Sequence, residues 1–340
     1  MLPSRSFPRT VLIAGLLFIA QSGISVAADF PKLSLPIDCK LGEDCWLINY
    51  FDHAPESAIL DYTGGTNLYD EHKGIDIAIP DIKSMVQGVD VLAVADGTVL
   101  AIRDHIPDVG SIDRDGRRTD FPKCGNAVLL DHGNDLRTQY CHMRRGSISV
   151  DIGDKIKRGH KIGLVGLSGF TNFPHIHLAV SLGEDKIDPF VGPGWKPGHE
   201  DTPRPMWTEE VRKAAIYQPF VLQSTGFTGG SFTKHGLLQG WYSNTQIPAT
   251  AHELTFGVVA YFVDPGDEMI VEIKDSQGKS LARETVIFDA EIQRHWRSIS
   301  VDQPKAGWGS GSYTGFVSLK RNNGPQPQEQ KLIRRIKIDQ

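Results

Sequence analysis

Between residues 72 and 190 the chain runs in short apolar stretches, each soon cut off by Gly or Asp. Val91-Leu92-Ala93-Val94-Ala95 and Gly97 to Ile102 flank an Asp96-Gly97 turn. Ala127 to Leu130 and Leu136 to His142 flank Asp131-His132-Gly133-Asn134-Asp135, and Asp154 to Val165 gives another such pair. Short runs bounded by turn formers read as strands, and two runs joined by such a turn read as a hairpin. A chain punctuated this often has no room for long helices. With 35 Gly and 20 Pro in 340 residues, turn formers also exceed their ordinary share. The expected fold class is all-β.

The length suits two domains of ~100–200 residues each. Pro193, Pro197, Pro203 and Pro205 mark a linker, followed by Thr208-Glu209-Glu210-Val211. A hydroxyl at the N-cap with acids in the first turn predicts a short helix there, ending before Pro219. After about residue 223 a second β pattern begins, with Leu254 to Val263, Met269 to Lys274, Ser280 to Val286, Tyr313 to Lys320 and Lys331 to Ile338 as strands. Their spacing is that of a β-sandwich. Trp241, Trp296 and Trp308 offer either a ligand platform or core aromatics, and the core reading is preferred because sandwich cores also bury Trp.

At the N-terminus, Arg5 and Arg9 precede the apolar run Val11 to Ala20, and Ser25-Val26-Ala27-Ala28 follows. This is the pattern of a secretory signal peptide over 1–27, cleaved near Ala27/Ala28. The run is about half of the ~20 residues a spanning helix needs, so no stable membrane span is expected after cleavage. The protein is expected to be periplasmic or secreted, which places Cys39, Cys45, Cys124 and Cys141 in an oxidising compartment. Four cysteines allow three pairings. The turn near His132 to Asn134 brings position 141 opposite about 124–126, which favours Cys124–Cys141 and, by elimination, Cys39–Cys45. The net charge is −5, with no concentrated basic face, so nucleic acid is not an expected partner.

Two short motifs carry the chemistry. His72-Lys73-Gly74-Ile75-Asp76 leads into a run alternating with Ile75, Ile77 and Ile79; read as one strand, it sets His72 and Asp76 on one face with a bare Gly between them. His175-Ile176-His177 sets two imidazoles on one face and Ile176, Leu178 and Val180 on the other. Alone, either motif is as readily a strand's solvent face. Together they offer two imidazoles and a carboxylate, a usual donor set for catalytic zinc with one position left open. A structural zinc would close the set with thiolates, and no Cys-x-x-Cys pairs occur. No His-Glu-x-x-His helix supplies a base, so His142 and His175 are the available proton carriers. Alternation sets Thr138, Tyr140 and His142 on one strand face and Cys141 on the other. His53, His105, His132, His160, His199, His235, His252 and His295 read as ordinary polar residues.

The order His-x-x-x-Asp, Cys-Gly-Asn-x-Val, Tyr-x-His, Gly-Asp-x-Ile-x-x-Gly-x-x-Ile-Gly and His-x-His resembles the lysostaphin-type (LytM-like) zinc metalloendopeptidases of bacterial cell walls. The likeness spans about Asn67 to Phe190. It implies that His72, Asp76 and His177 bind one Zn2+ per chain and that His142 and His175 assist catalysis. It implies an exported zinc-dependent endopeptidase acting on the peptide stems of peptidoglycan. The alternative is a non-enzymatic cell-wall-binding or hydrolase-activating module that retains a zinc site. Ala179 stands where an acid often follows in that family. The expected division is a signal peptide at 1–27, an N-terminal segment packing on the catalytic domain at 28–66, and a zinc metallopeptidase domain at 67–192. A Pro-rich linker with a short helix follows at 193–222, then a β-sandwich accessory domain at 223–340. That last domain is expected to fold alone and to be dispensable for bond cleavage, since all five site residues precede it.

The signal-peptide reading predicts a mature chain starting at Ala28 or Asp29. N-terminal sequencing of the exported protein checks it; retention of residues 1–20 contradicts it.

Overall fold

The computed structural model describes residues 30–111, 118–200, 202–323 and 327–339; the signal-peptide assignment lies outside them. Strands dominate, and the three helices among the described residues, Ile82–Gln87, Glu209–Ala214 and Lys234–Gln239, have six residues each. Thr208 caps the second as the sequence predicts, its hydroxyl accepting from the Val211 N–H at 3.3 Å.

The first part of the chain builds an antiparallel sheet in the order Trp46–Asn49, Ile75–Ala78, His175–Leu182, Leu136–Met143, Asn126–Asp131, Gly97–Arg103 and Lys155–Ile156. One face supplies Ile75, Ile77, Val128, Leu130, Tyr140, Ile176 and Leu178 to a core completed by Val91, Val94, Ile162 and Val165. The hairpin joining Asn126–Asp131 to Leu136–Met143 turns through Gly133, Asn134 and Asp135, all at positive φ. Cys124 and Cys141 are bridged across its open end, and Cys39 is bridged to Cys45.

The second part packs a three-stranded sheet (Val221–Thr228, Glu253–Val263, Ile292–Asp302) against a five-stranded one (Gln246–Pro248, Gln328–Asp339, Ser312–Arg321, Glu268–Lys274, Ser280–Ile287). Between them lie Phe256, Val258, Met269, Val271, Val317, Leu319 and Ile336. This is the sandwich arrangement the strand spacing suggests.

The two parts are not merely tethered. Glu253–Val263 is buried at every position from Leu254 onward, which requires both of its faces to be covered. Its second face joins Trp46, Ile48, Ala78 and Phe173 of the first part in a shared apolar cluster with Val221, Val259, Tyr261 and Phe262. Gln223 donates to the Ile79 carbonyl at 3.0 Å and Gln293 to that of Leu68 at 3.2 Å. The stretch read as a linker also packs: Met206, Trp207, Val211 and Ala215 are buried in the first core. Proline content marks where the backbone turns, but it does not show where apolar side chains between the turns are buried. Of the three tryptophans read as sandwich core, only Trp308 is buried there. Trp241 is exposed, and Trp296 lies half-buried on a strand that, among the described residues, has one neighbour in its sheet.

Replacing both Cys124 and Cys141 by Ser should lower stability by about 2–4 kcal/mol, the usual effect of opening a loop of this size. It should also loosen the strand that carries His142, because the Cys124 carbonyl accepts from the His142 N–H at 2.8 Å. Thermal unfolding of the variant beside the parent checks this; an unchanged midpoint contradicts it.

Candidate metal centre

Ile75–Ala78 pairs with His175–Leu182 in a register that sets Asp76 opposite His177 and Ala78 opposite His175. Opposed residues of an antiparallel pair share a face. The carboxylate and both imidazoles therefore stand on the side away from Ile77, Ile176 and Leu178. His72 precedes the strand rather than lying on it, so strand alternation is not what brings it to Asp76. A turn with Glu71 at φ +62° folds it back, and its Nε2 lies 3.1 Å from Asp76 Oδ1 and 3.1 Å from His177 Nδ1. His177 Nδ1 is 2.7 Å from the same Oδ1.

His142 reaches this face by a different route from the one its spacing suggests. Tyr140, two residues earlier, points into the core, where its hydroxyl accepts from the Val94 N–H at 2.8 Å. Strict alternation would take His142 there too. The pairing slips between Asn126 and Val128, and His142 has φ +62°. Such a bulge re-aims one side chain. The imidazole lands with its ring centroid 4.6 Å from that of His175 and 6.1 Å from that of His177. The five residues singled out from sequence, His72, Asp76, His142, His175 and His177, are thus neighbours.

Backbone carbonyls orient three of the rings. The Nδ1–H of His72 donates to Tyr50 O at 2.6 Å, that of His142 to Ser168 O at 2.8 Å, and that of His175 to Phe173 O at 3.0 Å. Each neutral ring is left with an Nε2 lone pair. Asn49 donates to Asp76 Oδ2 at 2.7 Å, so the other carboxylate oxygen, Oδ1, is the one that faces the imidazoles. Neither Asn49 nor the three carbonyls was foreseen. The run containing Asn49 reads as a strand, but its pairing with Asp76 is long-range and leaves no local signal.

The donor chemistry fits a divalent cation. His72, Asp76 and His177 offer one atom each within 4.8 Å of one another, two of nitrogen and one of oxygen, all presented as lone pairs to one point. Such a set with an open side is that of a catalytic rather than a structural site. Burial, with His175 and His177 alongside, holds the His142 imidazole well below its usual range, so it is neutral near pH 7 and able to accept a proton. Beside the donors, reaching Asp76 and His175, lies a cleft of about 300 Å³ lined also by Asn49, Tyr69 and Phe173, with Tyr261 and Arg294 from the second part.

Gly74 has a steric role here. A Cβ on it would lie 2.6 Å from His177 Cε1 and 2.7 Å from Nε2. Gly74→Ala should therefore push the ring off its position and weaken metal affinity by about 10–100-fold, the scale of losing an orienting partner. Metal-buffered titration checks this; unchanged affinity contradicts it.

Residues 70–189 match the model of peptidase family M23. An uncharacterized metalloprotease of Buchnera aphidicola is 32% identical over 118 residues, 35% of this chain and 25% of the relative. Peptidoglycan DD-endopeptidase ShyA of Vibrio cholerae is 34% identical over 106 residues, 31% of this chain and 19% of the relative. The chain thus spans a quarter or less of the length of these relatives. Among solved structures, a zinc containing peptidase from Vibrio cholerae aligns over 47% of this chain and 39% of its own, at 24% identity and a TM-score of 0.33. Residues 70–189 thus form a domain of peptidase family M23, the lysostaphin-type family.

Proposed function

We propose that this protein is an exported zinc-dependent endopeptidase that hydrolyses peptide cross-links of peptidoglycan. In this reading His72, Asp76 and His177 hold one zinc ion, and His142 and His175 move protons. The division into a peptidase domain at 67–192 and an accessory β-sandwich at 223–340 belongs to the same proposal. The observation that carries it is the juxtaposition of three convergent donors with two further imidazoles, of which Asp76 and His175 line one cleft. The likeness to a relative named as a peptidoglycan DD-endopeptidase supports the substrate class.

When bound, zinc in such a set polarises the scissile carbonyl and lowers the pKa of the attacking water. The chain's own residues then handle the protons. His142 and His175 each have Nδ1–H committed to a carbonyl, so Nε2 is the atom that takes a proton from the water and returns it to the leaving amine. The Ser168 and Phe173 carbonyls keep each ring from flipping and favour the imidazolium formed midway. Asn49 holds Asp76 so that Oδ1 stays with the donor cluster.

The experiment is turbidity loss of purified wall sacculi with and without a chelator, beside metal content for two variants. His177→Ala should lose zinc and activity together. His142→Ala should keep close to one zinc per chain while activity falls by ~10²–10⁴. Zinc lost in His142→Ala, or full occupancy in His177→Ala, contradicts the roles given to these residues. Lysis insensitive to chelator contradicts metal dependence.

A further inference from the structure

One wall of the cleft comes from the β-sandwich. Tyr261 on Glu253–Val263 and Arg294 on Ile292–Asp302 are direct cross-strand partners, and both line the cavity that holds Asp76 and His175. The Arg294 guanidinium sits among three aromatic rings, 4.4 Å from the centroid of Trp296, 5.3 Å from Tyr261 and 5.5 Å from Phe173. Phe173 belongs to the same turn that fixes His175 through its carbonyl. Stacking fixes the plane of the guanidinium but does not neutralise its charge.

Among the described residues no carboxylate lies within ion-pair distance of Arg294. Its Nε is buried without a hydrogen-bond partner, and so is the hydroxyl of Tyr261. Burial pulls the guanidinium somewhat below its ordinary pKa, yet arginine remains protonated at neutral pH. A partly buried cation without an anionic partner gains from one that enters. An arginine held flat by aromatics at the edge of a cleft is suited to an anion that enters from outside, and its planar fork matches a carboxylate.

We propose that Arg294 is a carboxylate-binding residue of the active-site cleft, receiving a free carboxylate of the bound peptide close to the bond that is cut. The inference rests on the peptidase reading above. A leaving residue with a free α-carboxylate bears that group on the carbon next to the scissile nitrogen, so it arrives at the donor cluster and the cleft wall together. The β-sandwich then completes the substrate site. This differs from the expectation that everything needed for cleavage precedes it.

The test uses the full chain carrying His142→Ala, in which turnover is slowed by the ~10²–10⁴ given above so that binding is read ahead of cutting. Acetyl-L-lysyl-D-alanyl-D-alanine and its C-terminal carboxamide are titrated in a calorimeter. The acid should bind roughly tenfold or more tighter than the amide, the scale of a charge-assisted pair. Adding Arg294→Gln should abolish the difference, and Arg294→Lys should restore part of it. Equal binding of acid and amide, or binding of neither, overturns the proposal without relying on any Arg294 variant. Undiminished preference in the Arg294→Gln chain also overturns it, since another cation would then be reading the carboxylate. Cutting of the acid peptide by the unmodified chain is scored separately. No cutting, with the acid preference intact, would reject the peptidase reading and leave the subsite standing.

Discussion

Asp76 and His177 face each other on neighbouring antiparallel strands, so the pleat delivers a carboxylate and an imidazole to one side and Ile77, Ile176 and Leu178 to the other. The apolar side drives the register, because a slip of one residue would turn the core residues outward and the polar ones inward. Burial of those isoleucines and leucines therefore does two things at once: it stabilises the sheet and brings lone pairs of like polarity within about 3 Å. The remaining parts of the site answer to that crowding. His72 is folded back to join it, Asn49 holds the spare carboxylate oxygen, and Gly74 leaves the volume that the His177 ring occupies.

What could be read from the residues follows from how local each cause is. The two-residue period of His175-Ile176-His177 fixes its facing by itself. The hairpin through Asp131 to Asp135 announces itself by residues that tolerate positive φ. His72 and Asp76 do meet, although on a turn and a strand rather than on one strand, because the side chains reach across the same gap by either path. His142 is the instructive difference. Its residue type and neighbours point to the site, but simple alternation would have sent it to the core, and only a bulge in the pairing with Asn126–Asp131 brings it round. Asn49 and the carbonyls of Tyr50, Ser168 and Phe173 act through contacts between distant segments, and no local pattern marks them.

The second core shows the same limit at domain scale. Alternation and turn spacing predict a sandwich over the last third of the chain, and two sheets enclose a core there. They do not predict that Glu253–Val263 is covered on its outer face as well. That outer face meets Trp46, Ile48 and Phe173, the last of which lies beside His175 with its ring 4.6 Å away. A domain held by apolar contact this close to the site shapes the cleft as well as adding mass. It also gives Arg294 its aromatic surroundings. The arrangement makes the cleft a joint product of two cores that the sequence presents as separate.

The account stands on one claim, that the lone pairs of His72 Nε2, Asp76 Oδ1 and His177 Nδ1 converge to bind a metal. Anomalous diffraction recorded above and below the zinc absorption edge, from crystals of the full chain grown with one equivalent of zinc, tests it directly. The prediction is a single anomalous peak bonded to those three atoms, with His142 and His175 beside it but not bonded to it. A peak coordinated by a different set of residues, or a protein that excludes zinc while these three side chains keep their positions, would contradict the claim.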